Sequence, residues 1–322
     1  MGKKGIFIVV IVVLLVSLGT NFYLWTTNQQ LRSATKREKE YQASIIKYPH
    51  ISRRVLQDLP IDVLINFLPL RTKLREKVVE YNDNLAIYFE YLPTGISIGI
   101  HEKDEFYAAS LFKLPVVMAY FRGKERNDID SDKKVKLTKD TIDDRFGNLW
   151  MKGEGYEIGL EEAAKLALVE SDNTAAKALG PYITEQNFKD VYDAVDIDLH
   201  ITDKGAVMTP KHYSSILKSL YFTSVLNNEN SETILSYLIM SAFKDKLVAG
   251  VPEEIEVAHK IGVIDENSYM DCGIVYVSRR QHILCMVSKG TEDEARTRMS
   301  TVSKIVYDYV SKTHNPSGHS QK

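Results

Sequence analysis

The chain has 322 residues, 41 Lys and Arg against 43 Asp and Glu, a 44% hydrophobic fraction and two cysteines. Those values exclude a disulfide-stapled mini-protein, a collagen-like fibre and a largely disordered chain, and leave room for one large two-lobed domain or two ordinary ones. The net charge of −2 is a cancellation: residues 1–57 carry +7 and residues 58–322 carry −9. An acidic body argues against nucleic acid as a partner, because phosphate binding needs concentrated positive charge.

Lys3 and Lys4 precede an unbroken apolar run from Ile6 to Val16, and no charge follows until Arg32. As a helix, residues 6–25 would reach about 30 Å, enough for a hydrocarbon core, with Tyr23 and Trp25 at interfacial depth. A cleaved signal peptide is the competing reading, but its apolar stretch is shorter and ends in small residues. The expectation is a transmembrane anchor over 1–27, with membrane lipid as a partner, and a basic stalk over 28–57. Charge barely decides the orientation, since Arg32, Lys36, Arg37 and Lys39 follow the span.

From residue 58 the pattern becomes globular. Leu70, Leu74, Val78 and Tyr81 recur on one side of a predicted helix over 69–83. TGISIGIHE and EFYAAS read as adjacent strands turned by EKDE, and SLFKLPVVMAYFRG as a buried helix starting near Ser110. KLTKDTIDD, GLEEAAKLALVESDNTAAKALG, TEQNFKDVYDAV, TPKHYSSILKSLYF and SETILSYLIMSAF are helical candidates. IEVAHKIGVI, SYMDCGIVYVS and QHILCMVSK return to strands, and a final amphipathic helix covers about 292–312. A sheet assembled from both ends of residues 58–322, with helices inserted between, makes one two-lobed domain. Cys272 and Cys285 fall on successive strands; buried free thiols and a cross-strand disulfide both stay open.

Three short motifs carry chemistry. In Ser110-Leu111-Phe112-Lys113 a helical start puts the lysine one turn from the serine, where a neutral amine can take the hydroxyl proton. In Ser171-Asp172-Asn173 a serine can relay a proton and an amide can hold a substrate carbonyl, although the same triplet also reads as a helix interruption and cap. In His259-Lys260-Ile261-Gly262 a lysine inside an apolar strand needs an anion or a solvent-facing side, and the glycine leaves room for a ligand backbone. His259 alternates away from Lys260 and reads as a structural or surface histidine. The histidines show no metal-ligand spacing.

These motifs, in this order, resemble the penicillin-recognising serine hydrolases, the beta-lactamases and D-Ala-D-Ala carboxypeptidase/transpeptidases, and most closely the class A beta-lactamases. The resemblance covers about residues 60–312, including VMTPKHYSSIL and the strand-plus-helix ending. It implies an α/β two-lobed fold, an antiparallel sheet built from both ends of the domain and flanked by helices, with an inserted all-helical lobe. It implies Ser110 as the acylated nucleophile, Lys113 as its base, Ser171 as the proton shuttle, and Asn173, Lys260 and Gly262 as substrate-binding residues. The backbone N–H groups of Ser110 and Val263 would form the oxyanion hole. No cofactor or metal is implied; the partner would be a beta-lactam or a peptidoglycan stem peptide, and the body would be a monomer.

Two departures from the family pattern matter. Ile261 stands where a threonine is usual and cannot donate to a substrate carboxylate. No Glu-x-x-Leu-Asn precedes Thr209-Pro210, so the usual deacylation base is missing; Asp193, Asp196 and Asp198 match no motif. The expected function is therefore a membrane-anchored, extracytoplasmic acyl-serine hydrolase with slow or atypical deacylation. A carboxypeptidase-like wall enzyme and a non-hydrolytic wall or lactam sensor are the alternatives. The expected placement is single-pass in the cell membrane, with a cytoplasmic N-terminus.

Overall fold

The computed structural model describes residues 17–29, individual residues between 32 and 50, and residues 65–312 except 131, 198–199, 203–204 and 266. The chain divides into two compact units, residues 1–49 and 50–322.

In the first unit residues 17–29 are helical, a length of about 20 Å against a hydrocarbon core of about 30 Å. Among the described residues no helix is long and apolar enough to cross a membrane. The apolar run over 6–16 lies outside the described residues, and Thr26, Thr27 and Asn28 make the described end polar. The transmembrane helix expected over 1–27 is corrected accordingly. The membrane-anchored function, the lipid partner and the single-pass placement with a cytoplasmic N-terminus and an external catalytic domain depended on that helix, and are corrected with it. The expected boundary at residue 58 falls among residues 51–64, also outside the described residues.

The second unit is built on a five-stranded antiparallel sheet. Its strands are β1 (Leu85–Tyr91), β2 (Ile96–Ile100), β8 (Val257–Asp265), β9 (Ser268–Val275) and β10 (His282–Lys289), in the order β2-β1-β10-β9-β8. Alternation along β1 assigns its faces. Ile87 and Phe89, with Leu284 and Met286 of β10, meet Leu70, Leu74 and Val78 of helix α1 (Leu68–Glu80) and Met299, Val302 and Val306 of helix α8 (Glu292–Ser311). Helix α8 starts at a capping box in which Thr291 and Glu294 satisfy each other's backbone N–H groups. At its other end the Arg280 guanidinium donates to the carbonyls of Val310 and Lys312.

Between β2 and β8 run α2 (Lys113–Glu125), α3 (Leu160–Val169), α4 (Asn173–Leu179), α5 (Glu185–Asp193), α6 (Pro210–Tyr221) and α7 (Asn228–Ile239). Helix α6 starts at Thr209, whose hydroxyl accepts from His212 N at 3.1 Å, with Pro210 in the first turn. It packs on the other face of the sheet, over β1, β9 and β10. There Cys272 and Cys285 face each other across β9 and β10 as buried free thiols.

The inserted lobe departs from the expected all-helical one. Strands β3 (Phe106–Tyr107), β6 (His200–Thr202) and β7 (Gly205–Met208) form one small sheet, and β4 (Lys134–Lys136) and β5 (Glu157–Gly159) form another. EFYAAS thus supplies β3 rather than a partner of β2, whose hairpin partner is β1. KLTKDTIDD runs from Lys136, the last residue of β4, into turns, not a helix.

Candidate active site

Ser110 sits in a 3₁₀ turn, Ala109–Phe112, that runs directly into α2 at Lys113. Ala109 just before it is left-handed, with φ +44°, a conformation costly for an alanine and retained only where the surroundings impose it. The turn is wedged against β8: a Cβ on Gly262 would lie 3.3 Å from the Ala108 carbonyl oxygen and 2.8 Å from Met270 Cε. Gly262 thus lets the edge strand close on the turn that carries Ser110.

The Lys113 amine is the hub. Its Nζ lies 3.1 Å from Ser110 Oγ, 2.6 Å from Asn173 Oδ1 and 3.3 Å from Ser171 Oγ, and it donates to the Ser171 carbonyl. Burial pulls its pKa down to about 8, against the nearby carboxylates of Asp172 and Asp143, while Arg145 reinforces the fall. Once deprotonated, the amine can keep N–H groups on the Ser171 carbonyl and Asn173 Oδ1 and turn its lone pair to Ser110.

Ser171 separates α3 from α4 in a left-handed conformation, φ +55°, so both its carbonyl and its hydroxyl reach the lysines. Lys260 of β8 is fully buried and donates to Ser171 Oγ at 2.8 Å. Desolvation, aided by the Lys113 charge, holds its pKa well below the usual lysine range. Ser110, Lys113, Ser171, Asn173 and Lys260 are therefore brought together by the turn before α2, the junction of α3 with α4, and the edge strand β8. Val263 follows on β8 and is exposed, whereas Ile261 is buried.

Asp143 had no reading from the sequence, whereas the cap expected in Ser171-Asp172-Asn173 falls to Asp172 and His259 takes a structural place. The buried Asp172 carboxylate caps α4 through Ala175 N at 2.8 Å and accepts from Asn148 N at 2.7 Å and Leu149 N at 2.8 Å. Asp143 accepts from Asn173 Nδ2 at 3.1 Å, so it orients the amide whose oxygen faces Lys113. Hydrogen bonds from Arg145, then Lys177 and Asn173, hold Asp143 well below the usual carboxylate range. His259 is buried with its Nδ1 2.8 Å from Asp271 Oδ1, a structural pair inside the sheet.

Of the carboxylates that precede Thr209, Asp190 and Asp193 are engaged elsewhere, and Asp196 is exposed. Asp190 accepts from Arg122 and Arg126, and Asp193 from Lys189. Asp198 lies outside the described residues. Among the described residues none of these carboxylates hydrogen-bonds the Lys113 amine, whose partners are Ser110, Ser171 and Asn173.

A model of the beta-lactamase enzyme family matches residues 69–310, which contain every one of these site residues. The chain belongs to that family. Among solved structures it is similar to a PBP-A mutant captured as an acyl-enzyme complex with penicillin G, at 20% identity and a TM-score of 0.68, covering 75% of this chain and 96% of that one. A beta-lactamase from Sphaerobacter thermophilus matches at 17% identity and a TM-score of 0.70, covering 76% and 98%. A beta-lactamase from Xanthomonas campestris matches at 17% identity and 0.68, covering 79% and 100%. No curated protein matches. Identities this low establish a shared fold, and the family membership makes the chain a beta-lactamase-like member of the serine-hydrolase superfamily.

Proposed function

We propose that this chain acylates Ser110 with a beta-lactam or a D-Ala-type amide or ester and releases the acyl group slowly. The observation that carries the reading is the Ser110 hydroxyl 3.1 Å from a buried amine with a pKa of about 8.

Lys113 takes the Ser110 proton as Oγ attacks the substrate carbonyl carbon. The oxyanion is met by the backbone N–H groups of Ser110 and Val263, given the usual arrangement of this family. As the C–N bond breaks, the Ser171 hydroxyl gives its proton to the leaving nitrogen. Ser171 is recharged from the Lys113 ammonium, while the Lys260 amine holds its oxygen by a hydrogen bond. Asn173 and Lys260 would bind the substrate. Slow release follows from the missing Glu-x-x-Leu-Asn motif and from the engagement of Asp190 and Asp193 elsewhere. The same feature favours a second reading, a lactam or wall-peptide sensor that stays acylated.

Turnover of a chromogenic lactam and of an acyl-D-Ala ester by the full chain tests the proposal. Slow turnover that vanishes in Ser110→Ala supports it. Turnover unchanged in that variant would remove Ser110 from the chemistry.

A further inference from the structure

Phe146 is 38% exposed, yet its position is closely fixed. Its carbonyl accepts from Asn173 N at 3.0 Å, and the two residues after Gly147 are tied to Asp172. Its ring centroid lies 5.9 Å from Lys113 Nζ. On the other side the ring packs against Phe243, with centroids 5.7 Å apart and an interplanar angle of 36°. The Phe243 segment is anchored in turn, since Ala242 N donates to the Val169 carbonyl at 3.0 Å. Two separate segments thus bring an aromatic pair up to the amine that faces Ser110.

We propose that Phe146, buttressed by Phe243, is a positioning residue whose ring covers the Lys113 amine, keeps bulk water from it, and sets the pH at which Lys113 can activate Ser110. The proposal rests on the acyl-serine reading of this site and adds to it a residue that touches no reacting atom. The polar and charged groups around Lys113 come from every neighbouring element: Ser110 from its turn, Ser171, Asp172 and Asn173 from the α3–α4 junction, Asp143 and Arg145 from the loop after β4, and Lys260 from β8. The two carboxylates favour the ammonium, and Arg145 opposes it.

Two effects of the ring have opposite signs. A cation–π attraction favours the charged amine, but it fades near 6 Å from the centroid. Exclusion of water favours the neutral amine and grows with burial. At 5.9 Å water exclusion is the larger, so removing the ring should make Lys113 more basic.

The test is a lysine ¹³Cε titration on the ligand-free full chain, with the Lys113 signal assigned through Lys113→Arg. The wild-type midpoint is about 8. Phe146→Ala should raise it by about one pH unit, and Phe243→Ala by a smaller amount in the same direction. Phe146→Leu should keep the wild-type midpoint, because bulk excludes water without a π face. A midpoint unchanged or lowered in both alanine variants overturns the proposal. The titration needs no acylation, so it reads out even if wild-type chain forms no adduct. That absence would defeat the acyl-serine reading and leave the cover itself decided by the midpoints.

Discussion

Replacing Asp172 by alanine tests how the fold builds the site. Its carboxylate is fully buried and accepts three backbone N–H groups: Ala175 at the start of α4, and Asn148 and Leu149 in the preceding loop. Loss of a helix cap costs about 1 kcal/mol. Each of the two loop N–H groups left unpaired in a buried setting costs about 1–2 kcal/mol. The sum is about 3–5 kcal/mol, read as a fall in unfolding free energy in urea. Gly147 adds an internal check. It is left-handed, φ +86°, and a Cβ there would lie 2.2 Å from Asp172 Oδ2, so Gly147→Ala should hurt less in the Asp172→Ala background than alone. The Asp172 charge also raises the Lys113 pKa. Its removal should therefore shift the pH limb of acylation downward, opposite to Phe146→Ala. A stability loss under about 1 kcal/mol, or an upward shift of that limb, would refute the reasoning.

Three further outcomes follow from the same geometry. The acylation rate should rise about tenfold from pH 7 to pH 9 as Lys113 loses its proton, with a midpoint near the pKa of about 8; a flat profile in stopped-flow acylation would contradict Lys113 as the base. Lys260→Met should slow acylation by about 100-fold while leaving urea stability equal or higher, since an apolar side chain replaces a fully buried amine. A large stability loss with an unchanged rate would make Lys260 purely structural. Ile261→Thr should speed acylation by carboxylate-bearing lactams about tenfold over esters lacking that group, and equal effects on both would show that residue 261 does not meet the carboxylate.

The legible part of this molecule was local. One turn of chain sets the approach of Lys113 to Ser110, and a break between helical runs marks Ser171, so short motifs were enough to nominate them. Lys260 stood out because a charge inside an apolar strand has to be answered by something. What escaped was set by distant partners. LAIYFEY lacks the alternation of a half-exposed strand because β1 is buried on both faces. Residues 136–144 read as a helix, but Lys136 ends the ladder with β5, the rest turn, and Asp143 is committed to Asn173 and Arg145. Phe146 and Phe243 are ordinary loop phenylalanines until folding sets them 5.7 Å apart, with Phe146 5.9 Å from Lys113. The amino-terminal anchor was read from hydropathy, span length and flanking aromatics, whereas among the described residues the helix at 17–29 is too short to span a bilayer.

The central claim is covalent chemistry at Ser110. Time-resolved intact-mass measurement of the full chain mixed with penicillin G addresses it most directly, with peptide mapping of the modified residue. The expected result is one adduct per chain on the peptide containing Ser110, formed faster than it is lost and absent in Ser110→Ala. No adduct at any time, or an adduct that persists in Ser110→Ala, would contradict it.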